Sequence, residues 1–177
     1  MKKAIDIFFI VLIFWVIYFL QSTFFMWFNI LGIMPNLLII LIMTLGLFMR
    51  RKSGFIFGLI FGLCIDFSIG SRIGINAISL GLVGVAAEKL DKSFSKDNRI
   101  TVMFLTGILT FLAELIIYFL QIVFCNVDIQ ILSFIKIVLI EIIYNEIIVA
   151  IIYPFILLFG SKLENDFTNN SFLKFWK

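Results

Sequence analysis

The sequence predicts an all-α integral membrane protein with six transmembrane helices and short loops. Of its 177 residues, 63% are apolar and only 14% are charged, and the mean hydropathy is +1.18. A soluble domain of this length has about 25% charged residues, so this chain has too little polar surface to cover a water-soluble globule. Disorder is excluded as well, because disordered chains are poor in aromatic residues and this one has 23 Phe.

Six apolar runs follow one another with little room between them. We expect helices at residues 4–20, 35–49, 54–70, 74–87, 100–125 and 134–159, followed by a polar tail at residues 161–177. Six helices of about 20 residues use about 120 positions. The whole chain is therefore predicted to be a single transmembrane domain. The second to fourth runs are shorter than the usual span, so a re-entrant hairpin of the third and fourth runs is the alternative to two crossings.

The basic residues predict the orientation of these helices. Lys and Arg concentrate on the cytoplasmic side of membranes. If both termini are cytoplasmic, only Arg72 and Lys136 of the 14 basic residues lie on the outer side. Arg50, Arg51 and Lys52 follow the second run and form the densest topology signal. We therefore expect both termini in the cytoplasm.

Small residues recur at every fourth position of the third helix. The stripe consists of Gly54, Gly58, Gly62, Asp66 and Gly70, and the fourth helix adds Gly74, Gly81 and Gly84. Small residues at this spacing let neighbouring helix backbones approach closely in lipid. Because Gly46 does not lie on the stripe, Gly62→Leu is predicted to do more harm than Gly46→Leu.

Asp66 continues the glycine stripe and should point into the protein, where an unpaired charge is costly. Its nearest candidate partners in the sequence are Arg72 and Asn76. We interpret Asp66 as a carboxylate that holds the turn between the third and fourth helices, and a transport or binding role is the alternative.

The last two helices carry a second set of polar residues. Its main members are Thr106, Thr110, Glu114, Tyr118, Gln121, Glu141, Tyr144, Asn145 and Glu146. If the two helices are antiparallel across the loop at residues 126–133, Glu114 should lie level with Asn145. Tyr118 should then lie level with Glu141. The three carboxyl groups are either protonated or meet the cation of a partner protein, and we favour docking or structure over a proton or substrate path.

The composition argues against an enzyme. The chain has no His, so a Ser/His/Asp arrangement is impossible, and the glycine spacing is that of helix packing rather than of a phosphate-binding loop. Cys64 and Cys125 lie far apart, without the spacing of a zinc site or a disulfide framework. We expect no catalysis, no cofactor, no metal and no nucleic-acid partner.

The sequence resembles the MreD family of bacterial rod shape-determining membrane proteins. The resemblance covers almost the whole chain, including its length, its six spans and its short loops. It is carried by the element Leu31-Gly32-Ile33-Met34-Pro35-Asn36-Leu37-Leu38 and, most specifically, by the pattern Gly58-x3-Gly62-Leu63-x2-Asp66-x3-Gly70-x3-Gly74-x-Asn76-Ala77. The carboxylates of the last two helices match no motif of the family.

The resemblance implies a non-enzymatic scaffold of the cell-elongation complex in the bacterial inner membrane. Such proteins pair with the bitopic protein MreC, and through it with MreB filaments and the peptidoglycan synthases of the lateral wall. The family fold is similar to that of the substrate-binding subunits of energy-coupling-factor vitamin transporters. By that analogy Asp66 and the glycine stripe belong to the packed centre and to a partner groove.

A transport protein is the alternative function, either a vitamin-binding subunit of that type or a small proton-coupled carrier. The carboxylates at mid-membrane favour it. The first helix argues against it, because Ala4 is its only small residue and vitamin-binding subunits use a face of small residues to meet their coupling partner.

Overall fold

The chain folds into six helices in a computed structural model that describes residues 2–49, 52–69, 73–91, 98–125 and 128–168. These parts of the chain contain no β-strand, as the sequence predicts. The helices are α1 (Lys2–Phe19), α2 (Leu37–Phe48), α3 (Ser53–Ile69), α4 (Ile75–Asp91), α5 (Arg99–Cys125) and α6 (Ile131–Thr168). After α1 the backbone continues through a π-helical turn, Leu20–Phe24, into a short helical segment, Phe25–Trp27.

The centre of the fold is α2, and each of the other five helices packs against it. All twelve of its residues are buried, which suits a helix that is apolar on every side. The side chain of Asn36 accepts a hydrogen bond from the N–H of Ile39, at 3.4 Å, and so caps the start of the helix. At 1.5 Å per residue, α2 is only about 18 Å long.

Among the residues that the structure describes, three helical stretches are long and apolar enough to cross a membrane, namely Ile5–Trp27, Arg99–Cys125 and Ile131–Asn165. Their outer faces carry large apolar side chains such as Phe19, Phe119 and Phe155, each more than half exposed. Because this face runs the length of the helices, it is suited to contact with lipid. The apolar helices α2 and α3 are shorter.

The last helix is longer than the apolar run predicts. It begins at Ile131 rather than at residue 134, and it continues to Thr168, beyond the predicted end at Phe159. The additional turns contain Leu163, which is only 3% exposed. Helix α6 therefore continues into the polar segment because one side of that segment still packs against the protein.

A proline inside α6 leaves one backbone carbonyl free, and α5 supplies a donor for it. Pro154 lies within the helix and has no N–H, so the carbonyl oxygen of Ala150 has no partner four residues later. The guanidinium of Arg99, the first residue of α5, donates a hydrogen bond to this oxygen. Arg99 thus joins the start of α5 to the proline site of α6.

This contact predicts that the effects of Arg99 and Pro154 on stability are coupled. Arg99→Gln should lower the free energy of unfolding by about 1.5–3 kcal/mol, since a hydrogen bond from a charged group is lost. In a Pro154→Ala background the loss should be much smaller, because residue 154 then donates its own N–H to Ala150. Thermal unfolding of the four proteins in detergent measures the coupling. Equal losses in both backgrounds would contradict the assignment.

Candidate functional site

The packing surface between α3 and α4 is built from glycines that face backbone. A Cβ atom at Gly58 would lie closer than 3.0 Å to the carbonyl of Leu80, and one at Gly62 would lie equally close to the backbone of Ala77. A Cβ at Gly54 would lie 2.8 Å from Cα of Gly46. The two helices are therefore in backbone contact, which only glycine at these positions allows.

Two further glycines complete this surface. A Cβ at Gly84 of α4 would collide with the backbone of Gly54. A Cβ at Gly46 of α2 would lie 2.6 Å from Cβ of Ala87 and 3.0 Å from the carbonyl oxygen of Gly84. The assumption that Gly46 is free of the packing surface is therefore wrong, because Gly46 joins that surface from a third helix.

Asp66 holds the turn between α3 and α4 through four hydrogen bonds. Its Oδ2 accepts from the N–H of Gly74 at 2.8 Å and of Ala77 at 3.2 Å. Its Oδ1 accepts from the N–H of Asn76 at 3.1 Å and from the side-chain amide of Asn76 at 2.8 Å. The first N–H groups of a helix have no partner within the helix. The carboxylate of Asp66 on α3, which is only 1% exposed, accepts hydrogen bonds from these groups at the start of α4.

The local backbone brings these groups to Asp66. Gly74 has a φ of +109°, a conformation that side-chain-bearing residues rarely adopt. The chain can therefore reverse there and direct its next N–H groups back at α3. Gly70 and Arg72, the two other residues that the sequence singled out at this turn, lie outside the described residues.

A second polar site joins α2, α5 and α6. The side-chain amide of Asn145 donates to Oγ1 of Thr110 at 3.0 Å. Oδ1 of Asn145 accepts from the backbone N–H of Asn36 at 2.8 Å. Asn145 is fully buried and so links three helices at one point. Asn36 was not among the predicted site residues, although an Asn directly before an apolar run is a recognisable helix start.

The predicted register of α5 and α6 is wrong by one turn. Asn145 lies level with Thr110 rather than with Glu114, and Glu141 meets Glu114 rather than Tyr118. The shift follows from the start of α6 at Ile131, three residues before the predicted start. An earlier start shortens the loop and moves every residue of α6 relative to α5.

Three other predicted polar residues, Tyr118, Tyr144 and Glu146, make separate contacts. The hydroxyl of Tyr118 accepts from the N–H of Gln130 at 2.8 Å, at the loop before α6. Glu146 packs beside Gly107, where its Oε1 lies 2.9 Å from the position that a Cβ would take. Tyr144 donates its hydroxyl hydrogen to the carbonyl oxygen of Phe28 at 2.7 Å.

Of the predicted topology residues, Lys52 is exposed and has a φ of +61°. It occupies the tight turn that leads into α3. Arg50 and Arg51 lie outside the described residues.

Among the spaces in the fold, two adjoin the central helix α2 or its start. A cavity of about 110 Å³ lies between the polar side chains of Gln21, Asn36, Asn76 and Ser79. A groove of about 530 Å³ runs between α1 and α6, with α2 as its floor. Its walls include Ile17 and Ile152, and Thr44 is the single polar side chain among its lining residues.

Within the described residues, no group of three or more acidic or Cys side chains could hold a metal ion.

The glycine surface predicts a sharp difference between two glycines of α4. Gly84→Ala should lower the stability by about 1–3 kcal/mol, because the added methyl group collides with backbone of α3. Gly81→Ala is the matched control, since its methyl group meets the end of the Leu59 side chain at 3.0 Å, which can move. Thermal unfolding in detergent compares the two. The same melting temperature for both variants would count against backbone contact at Gly84.

The Asp66 site predicts a loss of stability for a substitution that keeps the shape of the side chain. Asp66→Asn turns one of the two acceptor groups into a donor that faces other donors. We expect a loss of about 2 kcal/mol or more. Ser68→Ala on the same helix removes an exposed hydroxyl that bonds only to the carbonyl of Cys64, and it should cost far less. A melting temperature of Asp66→Asn equal to that of Ser68→Ala would refute this role.

Comparison with known proteins assigns the chain to a family. Residues 2–163 match the family described as rod shape-determining protein MreD. No curated protein matches the chain, and no solved structure does. The match extends from the first residues of α1 to the final turns of α6, and so includes the glycine surface, Asp66 and the groove. The chain belongs to the MreD family of proteins involved in determining rod shape.

Proposed function

We propose that this protein is a non-enzymatic scaffold of the cell-elongation complex, which binds MreC and couples MreB filaments to the peptidoglycan synthases of the lateral wall. In this proposal it is a single domain in the bacterial inner membrane, with six crossings, both termini in the cytoplasm and the fold of energy-coupling-factor substrate-binding subunits. Family membership supports a role in rod shape. The apolar helices support residence in a membrane.

The groove between α1 and α6 is the observation that carries the proposal. Helix α1 touches the rest of the protein through few side chains, mainly Ile10 and Phe14, both almost fully buried. Beside this contact, α1 and α6 form the walls of an apolar channel whose floor is α2. An apolar channel between helices fits the side of another helix, because helices associate in lipid through close van der Waals packing. A bitopic partner such as MreC offers one such helix.

Besides offering the groove as a binding surface, the protein must keep the groove in a fixed shape. The floor of the groove is α2, which rests on the backbone contact of α3 and α4 through Gly46. One wall is α6, which is joined to the start of α2 by Asn145. In this proposal the glycines and Asp66 act on partner binding through the groove, without touching the partner.

The transport alternative would need a pocket of a different kind. Small-molecule sites usually have volumes of about 300–1,000 Å³ and enclose most of the ligand. The polar cavity beside Asn36 has about 110 Å³, room for a few water molecules at about 30 Å³ each. The groove, at about 530 Å³, is within this range, but it is open along its side and Thr44 is the single polar side chain among its lining residues. Its open side and its lack of polar groups favour a binding surface for an apolar helix over a vitamin site.

Filling the groove should abolish partner binding. Ile152 lines the groove, so Ile152→Trp should reduce co-purification of MreC from membranes at least tenfold and should give round cells. Ile151→Trp is the matched control, since Ile151 is 69% exposed on the outer face of the same helix. It should keep both MreC binding and rod shape.

Both variants must first be shown to reach the membrane in equal amounts. Normal co-purification of MreC with Ile152→Trp would reject the groove as the binding surface. Rod-shaped cells that lack the protein altogether would reject the scaffold function itself, and so the two failures are distinguishable.

A further inference from the structure

Two carboxyl groups meet inside the protein between α5 and α6. The side chains of Glu114 and Glu141 face each other, one turn along from the hydrogen bond between Thr110 and Asn145. An ionised carboxylate can only accept hydrogen bonds, whereas a protonated one can donate. Two carboxyl groups that face each other can therefore form a hydrogen bond only if one of them carries a proton.

The surroundings of Glu141 identify which group holds this proton. Glu141 is 5% exposed, and its Oε1 is buried without a hydrogen-bond partner. An ionised carboxylate in an apolar interior is very costly unless it is paired and hydrogen-bonded, whereas a neutral carboxylic acid leaves its carbonyl oxygen unpartnered at much lower cost. Burial therefore favours the neutral form of Glu141, which can donate its proton to the carboxylate of Glu114.

No cation in the described part of the chain faces this pair. At the start of α2, the group near Glu141 is the neutral side chain of Asn36. Lys136 and Glu146 lie five residues to either side of Glu141, about 140° away around α6. On α5, the residues one turn from Glu114 are occupied elsewhere, Thr110 with Asn145 and Tyr118 with Gln130. The pair must therefore balance its charge by retaining a proton.

We propose that Glu114 and Glu141 form a proton-binding site in the membrane interior, with one proton shared between the two carboxyl groups. The site is independent of the scaffold function and would stand without it. It lies where α2, α5 and α6 meet, beside Asn36 and Asn145. Loss of the shared proton would place two carboxylates in contact and force this junction apart, since two like charges at this distance repel each other.

Infrared spectroscopy of the purified full-length protein in nanodiscs at neutral pH tests the proposal directly. A protonated carboxylic acid gives a C=O stretching band that is separate from the bands of carboxylates. We expect such a band in the wild-type protein, and we expect Glu141→Gln to remove it. The controls are Glu146→Gln and Asp128→Asn, the latter at an exposed position of the loop before α6. Both control variants should keep this C=O stretching band.

A second variant keeps the test decisive if Glu141→Gln does not fold. Glu114→Gln leaves Glu141 protonated but changes its hydrogen-bond partner, so the band should move without disappearing. Absence of the band from the wild-type protein would overturn the proposal, as would a band that is unchanged in both variants. Adding sodium to a sodium-free sample should leave the band unchanged, and its disappearance would identify a metal cation site instead.

Discussion

The backbone contact between α3 and α4 is the constraint on which the rest of the structure depends. Helices in lipid gain little from hiding apolar surface, so they must be held by close packing and by hydrogen bonds. Gly58, Gly62 and Gly84 provide the packing, and Asp66 provides the hydrogen bonds at the turn. Because Asp66 also satisfies the start of α4, the two helices are fixed both in their separation and in their register.

The central helix α2 transmits this arrangement to the remaining helices. Gly46 lets α2 rest against Gly84 and Ala87 of α4. At its other end, Asn36 is joined to Asn145 of α6. A helix of about 18 Å that is buried on all sides is thereby held at both ends, by glycine packing at one and by a buried amide at the other.

Features that depend on one helix could be predicted from the sequence, and features that depend on two helices often could not. The run lengths predict six helices, and the four-residue spacing reveals the glycine stripe of α3. Gly46 was missed because its role depends on which helix lies opposite, and no spacing within α2 shows that. The register of α5 and α6 was wrong because it depends on where α6 begins. Ile131 belongs to the helix, although the apolar run predicted from the sequence begins only after Ser133.

Tyr144 and Asn145 of α6 connect the packed centre of the protein to the groove between α1 and α6. These consecutive residues of α6 hold the connection between α1 and α2 at two points, through the carbonyl of Phe28 and the N–H of Asn36. The separation of α1 from α6, which sets the width of the groove, is therefore fixed at this end by α6 itself. A molecule that wedges the groove open must strain these two hydrogen bonds, and one that fits the existing width binds without that cost. In the proposed function, a partner helix would be selected by its size, because the groove offers shape but almost no polar groups for recognition.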